Sequence, residues 1–104
     1  MFLKWLIHLT LYLYLYDCQH ARRTNARRVA FTKELYGYYY TWKTKSGIKQ
    51  KRRPGLLDEC LGTEAVADSA ILVPSEHRVV FDTLFKMYED ILKLKIFEVV
   101  EEIE

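Results

Sequence analysis

Tyr38-Tyr39-Tyr40-Thr41-Trp42-Lys43 is the stretch that decides the fold of this 104-residue chain, because it fits two different secondary structures. Aromatic rings combine a large apolar area with a polar tip, so a cluster this dense is typical of a core or a contact surface. Cations follow it, and cations are not buried without a partner. We therefore expect a small interaction module with one anion-facing side and no enzymatic activity. The expected anion-binding residues are Lys43, Lys45, Lys49, Lys51, Arg52 and Arg53.

The first interpretation of this stretch is a helix. Leu35, Tyr39 and Trp42 then fall on one face, at spacings of four and three residues. Gly47 would end the helix as a left-handed cap, and Trp42 would be buried beside Leu35. On this interpretation Tyr39, Tyr40 and Trp42 form a core or a partner contact.

The second interpretation is a β-hairpin over residues 37–53. Tyrosine, threonine and tryptophan favour strands, and the Ser46-Gly47 pair favours a turn between two of them. The return strand of such a hairpin would be basic, which suits contact with DNA. This alternative predicts an α+β fold with a hairpin at residues 37–53.

Charge is divided sharply along the chain. Residues 22–53 hold eleven Lys and Arg residues against one acid, Glu34, which gives a net charge of +10. Residues 54–104 hold four Lys and Arg residues against twelve acids, which gives a net charge of −8. This asymmetry indicates that the basic half meets a polyanion. The alternative is that the two halves neutralise each other within one molecule.

Residues 2–16 read FLKWLIHLTLYLYLY and form an apolar segment with several interpretations. The segment is shorter than the run of about 20 apolar residues that a spanning helix needs. From residue 9 onward leucine alternates with threonine or tyrosine, and this period of two predicts a strand with one leucine face and one tyrosine face. The alternatives are a helix and a leader over residues 1–16 that is secretory or lies on a membrane surface. No small-residue cleavage site follows such a leader.

The C-terminal part predicts a long amphipathic helix over residues 75–103. Ser75 is a candidate N-cap, because it follows Pro74 and precedes an apolar stripe at helical spacing. The stripe consists of Phe81, Phe85, Tyr88, Leu92, Ile96, Val99 and Ile103. A helix this long leaves part of its stripe exposed in so small a domain. We expect a homodimer or a partner helix to cover the stripe from Leu92 onward, or the leucine face of residues 2–16 to do so.

Side chains suited to catalysis or metal binding are sparse. Cys18, His20, Cys60 and His77 lack the paired spacing of structural zinc sites, and no glycine-rich phosphate loop is present. The sequence therefore predicts no catalytic residue, no metal and no cofactor. Two cysteines this far apart are expected to be reduced thiols.

The segment Glu34-Leu35-x-x-Tyr38-Tyr39-Tyr40-Thr41-Trp42-Lys43 resembles the third helix of the SANT domain in ELM2–SANT corepressors. This family includes the mitotic deacetylase-associated SANT domain protein and the metastasis-associated proteins. The resemblance covers residues 33–64, including Gln50-Lys51-Arg52 and the segment Leu56-Leu57-Asp58-Glu59-Cys60. In this family the SANT module recruits class I histone deacetylases, and basic residues at that contact help to hold an inositol phosphate.

The resemblance favours the helical interpretation and a mainly α fold. We expect an apolar segment at residues 1–20, a small SANT/Myb-like helical module at residues 21–64, and an acidic segment at residues 65–104 that contains the long helix. The resemblance implies a nuclear, chromatin-associated module that recruits a histone deacetylase corepressor assembly, with an inositol phosphate as its ligand. The alternatives are a sequence-tolerant DNA-binding hairpin domain and a small secreted or membrane-associated protein.

Overall fold

The computed structural model describes residues 10–18, 25–101 and 103, and these contain more strand than helix. The prediction of a mainly α fold is therefore wrong. In chain order the elements are strand β1 (Leu11–Cys18), helix α1 (Asn25–Tyr36), strands β2 (Gly37–Thr44) and β3 (Gly47–Pro54), the short helix α2 (Leu56–Glu59), strands β4 (Glu64–Ala67) and β5 (Ala70–Pro74), a 3₁₀ turn (Ser75–His77), helix α3 (Arg78–Met87) and strand β6 (Leu92–Val99).

The body of the molecule is an antiparallel four-stranded sheet in the order β4-β5-β1-β6. Strand β1 lies inside the sheet, with Tyr14 opposite Ile71 of β5 on one side and Ile96 of β6 on the other. Successive side chains of a strand point to opposite faces. The predicted strand with a leucine face and a tyrosine face is therefore confirmed for residues 11–16. The predictions for residues 1–9 lie outside the described residues.

The tyrosine face of β1 forms the core together with helices α1 and α3. Tyr14 is fully buried, and its ring centroid lies 6.4 Å from that of Phe81 and 5.5 Å from that of Phe85. Phe31 of α1 packs edge-on against Phe85 at 5.3 Å. The leucine face is more open, and Leu15 is exposed. The remaining buried residues of the core are Leu35, Cys60, Ile71, Val73, Leu84, Tyr88 and Ile91.

The hydroxyl groups of Tyr14 and Tyr16 on this face have hydrogen-bond partners. Tyr14 donates to Oδ1 of Asp82 and accepts a 3.2 Å bond from Nε of Arg78. The hydroxyl groups of Tyr16 and Tyr36 lie 2.8 Å apart. Burial, reinforced by the bond to Asp82, raises the pKa of Tyr14 to about 12. Tyrosines can line this core because their oxygen atoms are not left without partners.

The predicted helix over residues 75–103 is wrong at both ends. Ser75 begins the 3₁₀ turn instead of capping a helix, and α3 ends at Met87. Residues 92–99 form β6, which pairs with β1 along its whole length. The physical reason is the alternation Leu-Lys-Leu-Lys-Ile at residues 92–96, which gives a strand one apolar face for the core.

The expected dimer helix is therefore not formed by the described residues. Leu92, Leu94 and Ile96 are half-buried in β6 and pack against the core of the body. No helix among the described residues is long and apolar enough to cross a membrane.

The alternative hairpin agrees with the structure, and the helical interpretation of the aromatic stretch is wrong. Residues 37–44 pair antiparallel with residues 47–54, and Lys45 and Ser46 form the turn. Leu35 is buried in the core as expected, whereas Trp42 is 43% exposed. Residues 38–43 of the block that resembles the third SANT helix thus lie in a strand, where alternate side chains face opposite sides.

Candidate nucleic-acid interface

The hairpin of β2 and β3, here called the arm, leaves the body at two glycines. Gly37 follows the last residue of α1 with a φ of 82°, a conformation that residues with a Cβ rarely adopt. Gly55 follows β3, and a Cβ built on it would lie 2.2 Å from the backbone nitrogen of Gly37. The two backbones are in direct contact, so the root of the arm requires glycine at both positions.

Arg52 fixes the root of the arm to its surroundings. Its Nη2 donates to the carbonyl oxygen of Tyr36 at 2.8 Å, and its Nη1 lies 2.9 Å from Oδ2 of Asp58. Asp58 also accepts a 2.8 Å bond from the backbone N–H of Gly55. The Gly55 bond and the Arg52 guanidinium together lower the pKa of the Asp58 carboxyl. Arg52, one of the predicted anion-binding residues, is therefore already paired.

One face of the arm carries aromatic rings on β2 and cations on β3, in register. Residues directly opposite each other in an antiparallel pair project from the same face. The aromatic ladder consists of Tyr38, Tyr40 and Trp42. The cation ladder, in the order in which its members lie opposite these rings, consists of Arg53, Lys51 and Lys49.

The aromatic ladder is a row of neighbouring rings, of which Tyr38 is half-buried and Tyr40 and Trp42 are open to solvent. The ring centroids of Tyr38 and Tyr40 are 6.4 Å apart, with their planes at 54°. Tyr40 and Trp42 are stacked at 5.6 Å with an interplanar angle of 29°. Tyr40 is 37% exposed and Trp42 is 43% exposed. At about 3.4 Å per residue, the ladder extends for about 14 Å along β2.

The other predicted residues of the arm do not join the ladders. Tyr39 is exposed on the opposite face, where the guanidinium carbon of Arg52 lies 6.0 Å from its ring centroid. Lys43 lies on that opposite face too, and Lys45 lies in the turn. The predicted aromatic group therefore separates, with Tyr40 and Trp42 together and Tyr39 apart.

Two residues of the interface, Tyr38 and Lys33, were missed by the sequence analysis. Tyr38 is the innermost ring of the aromatic ladder, and a period of two through Tyr40 and Trp42 would have included it. Lys33 comes from α1, and its Nζ lies 4.8 Å from the centroid of the Tyr38 ring. No local sequence pattern connects Lys33 to the arm, because the contact depends on how α1 meets β2.

The acidic residues that the structure describes do not neutralise the cation ladder. No ion pair among the described residues includes Lys49, Lys51 or Arg53. The chain also has no acidic residue between positions 34 and 58. Neutralisation between the two halves does occur at Arg27, whose Nη2 lies 2.6 Å from Oδ1 of Asp90, and at Arg52, which pairs with Asp58. The ladder thus remains a compact positive surface.

Two features outside the arm concern metal binding and cysteine chemistry. No group of three or more His, Cys, Asp or Glu side chains within it is arranged to hold a metal ion. Cys60 is buried, and burial raises the pKa of its thiol because a thiolate is disfavoured there. A thiol in that state is a poor nucleophile.

Comparison of the chain with protein-family models finds no match, and comparisons with curated proteins and with solved structures find none either. Its function has to be inferred from the geometry of the arm.

Proposed function

We propose that the arm binds single-stranded nucleic acid, with bases stacked on the aromatic ladder and phosphates held by the cation ladder. The observation that carries this proposal is the register of β2 and β3, which aligns each ring with a cation. A base stacked on an aromatic side chain contributes about 1–3 kcal/mol, whatever the base. A cation that neutralises a phosphate releases a counterion, which adds a salt-dependent contribution.

An unpaired strand fits this surface better than a duplex does. Bases within a duplex are stacked on one another, so their faces are not accessible to protein rings. The stacked pair of Tyr40 and Trp42 is exposed along the arm, where successive unpaired bases could stack. Contacts of this kind depend little on sequence, which agrees with the sequence-tolerant binding expected of a basic hairpin.

Recruitment of a histone deacetylase corepressor assembly and a nuclear location stay predictions from the SANT resemblance. The aromatic part of the segment that carries the resemblance, residues 38–43, lies in β2, whereas the resemblance implies a helix. An inositol phosphate, the ligand implied by the same resemblance, is an anion that the cation ladder could also contact. It therefore serves as a competitor in the binding test.

The proposal is tested by fluorescence anisotropy of a labelled single strand of twelve deoxythymidines (dT12) over a range of salt concentrations. Replacement of Lys49, Lys51 and Arg53 by glutamine should weaken binding and reduce the salt slope by about 2, at about 0.7 for each single-strand phosphate contact. The control replaces Lys86, Lys93 and Lys95 by glutamine, which removes the same charge from exposed positions on the body. The control variant should keep nearly the wild-type slope.

Two results would contradict the proposal. Equal weakening in both triple variants would show a general attraction by net charge rather than a contact at the ladder. Binding of a duplex of the same length as tightly as dT12 would exclude stacking as the main contact. Inositol hexakisphosphate should displace dT12 only weakly, because it lacks bases to stack.

A further inference from the structure

A groove of about 410 Å³ lies where the arm meets the body. One side is formed by the root of the arm with α1 and α2, and the other side is formed by α3. Apolar side chains make up much of its wall: Pro54, Leu56, Val80, Leu84 and Met87. Its remaining lining residues are Lys33, Glu34, Tyr38, Arg53, Glu59 and Thr83.

The groove continues the ladder surface. Tyr38 and Arg53 are the innermost members of the two ladders, and both also line the groove. Lys33 lies over the ring of Tyr38 at 4.8 Å and lines the groove as well. A nucleic-acid strand that follows the ladder toward the body therefore reaches the groove directly after Tyr38, where the cations Lys33 and Arg53 lie.

The chemistry of the groove suits a base and not a phosphate. Its apolar wall matches the faces of a base, and the carboxylates of Glu34 and Glu59 offset the charges of Lys33 and Arg53, so the lining has no excess positive charge for a phosphate. A carboxylate accepts hydrogen bonds from exocyclic amino groups of bases, such as N4 of cytosine. Glu34 accepts one bond, at 3.2 Å, from the hydroxyl of Tyr88, and a carboxylate can accept several bonds.

We propose that the groove receives one unpaired base that carries an exocyclic amino group, next to the base stacked on Tyr38. This inference rests on the proposed binding of single strands by the arm. It adds a preference at one position to contacts that are otherwise tolerant of sequence. Thymine lacks an amino group and would leave the two carboxylates without this hydrogen bond.

The preference is measured with dT12 and with dT12 in which a single cytosine replaces the 5′ or the 3′ terminal base. The wild-type chain should bind one of the two cytosine oligonucleotides about fivefold more tightly than dT12, a discrimination at the low end for a specific base contact. Val80→Glu, which adds a charge inside the groove, should abolish this preference.

Val79→Glu is the matched control, because it makes the same substitution on the same helix. Val79 is 78% exposed and does not line the groove, whereas Val80 is 45% exposed and does. The V79E variant should keep the preference for cytosine. If thermal melting shows that V80E does not fold, T83E, at an exposed position that lines the groove, takes its place in the comparison.

The outcomes separate this inference from the proposed function. The groove is refuted as a base site if dT12 binds with no preference for a terminal cytosine, or if the preference survives V80E or T83E. Neither result contradicts the proposed binding of single strands by the ladder. Failure of the wild-type chain to bind any of the three oligonucleotides refutes the proposed function together with the inference.

Discussion

Single residues stabilise this fold through buried aromatic rings whose hydroxyl groups are paired. Tyr14 is fully buried in an inner strand, yet its hydroxyl contacts both Asp82 and Arg78. Removal of that hydroxyl would leave a carboxylate and a guanidinium without one of their partners. Arg78 also lies over the ring of Tyr12 at 4.3 Å, so the network joins β1 to α3 by more than one contact.

Because the pKa of Tyr14 is raised to about 12, the stability of the fold changes with pH in the alkaline range. An unfolded tyrosine ionises near about pH 10, so the stabilisation from the neutral buried hydroxyl is complete below that pH. It is lost as the pH rises from there through the folded pKa. We expect Tyr14→Phe to be less stable by about 1 kcal/mol at pH 7.

The measurement for this prediction is urea unfolding at pH 7 and pH 11. The loss of stability between the two pH values should be smaller in Tyr14→Phe than in the wild type. Burial also raises the pKa of Tyr16, so part of the loss should remain. Tyr39→Phe, at an exposed position on the arm, is the control and should keep the wild-type pH dependence. An unchanged pH dependence in Tyr14→Phe would argue against the role of this hydroxyl.

Among the elements that the structure describes, the arm is held to the body at its root. Gly55→Ala would bring a Cβ within 2.4 Å of the carbonyl carbon of Tyr36, so the backbone there would have to move. Overpacking of this kind costs about 1–3 kcal/mol. We expect a lower melting temperature, faster tryptic cleavage within the arm and weaker binding of dT12.

Gly47→Ala is the control for this prediction. Gly47 has a φ of 131°, but a Cβ there meets nothing within 4 Å. Gly47→Ala should therefore lower the free energy of unfolding only by the cost of backbone strain at the tip of the arm, about 1–2 kcal/mol. If Gly55→Ala melts and binds like the wild type, the close backbone contact does not define the root.

A local pattern of side chains made some elements predictable from the sequence. The alternation of Leu and Tyr at residues 11–16 predicted β1, because a period of two is typical of a strand. The prediction for residues 92–99 was wrong because Leu92, Ile96 and Val99 also fit a helical stripe. These residues pair with β1, which is far away in sequence, so no local pattern indicates the pairing. The same ambiguity prevented prediction of the aromatic ladder, since Tyr38 joins Tyr40 and Trp42 only if residues 38–42 form a strand.

At the scale of the whole molecule, the two oppositely charged parts of the sequence have different positions. The basic segment forms α1 and the arm, whereas the acidic segment supplies β4, β5, α3 and β6 of the body. Arg27 and Arg52 are paired with acids of the body or of the root. The ladder cations are left facing solvent, and this is the physical basis of the proposed contact with a polyanion.

The fluorescence of Trp42 reports whether bases stack on the aromatic ladder. The chain has two tryptophans, so a Trp5→Phe variant makes Trp42 the only source of tryptophan emission. Bases stacked on the ladder should quench this emission as dT12 is added, with a midpoint equal to that of the anisotropy titration, and a duplex of the same length should quench it far less. Binding of dT12 that leaves the emission of Trp42 unchanged would contradict the account.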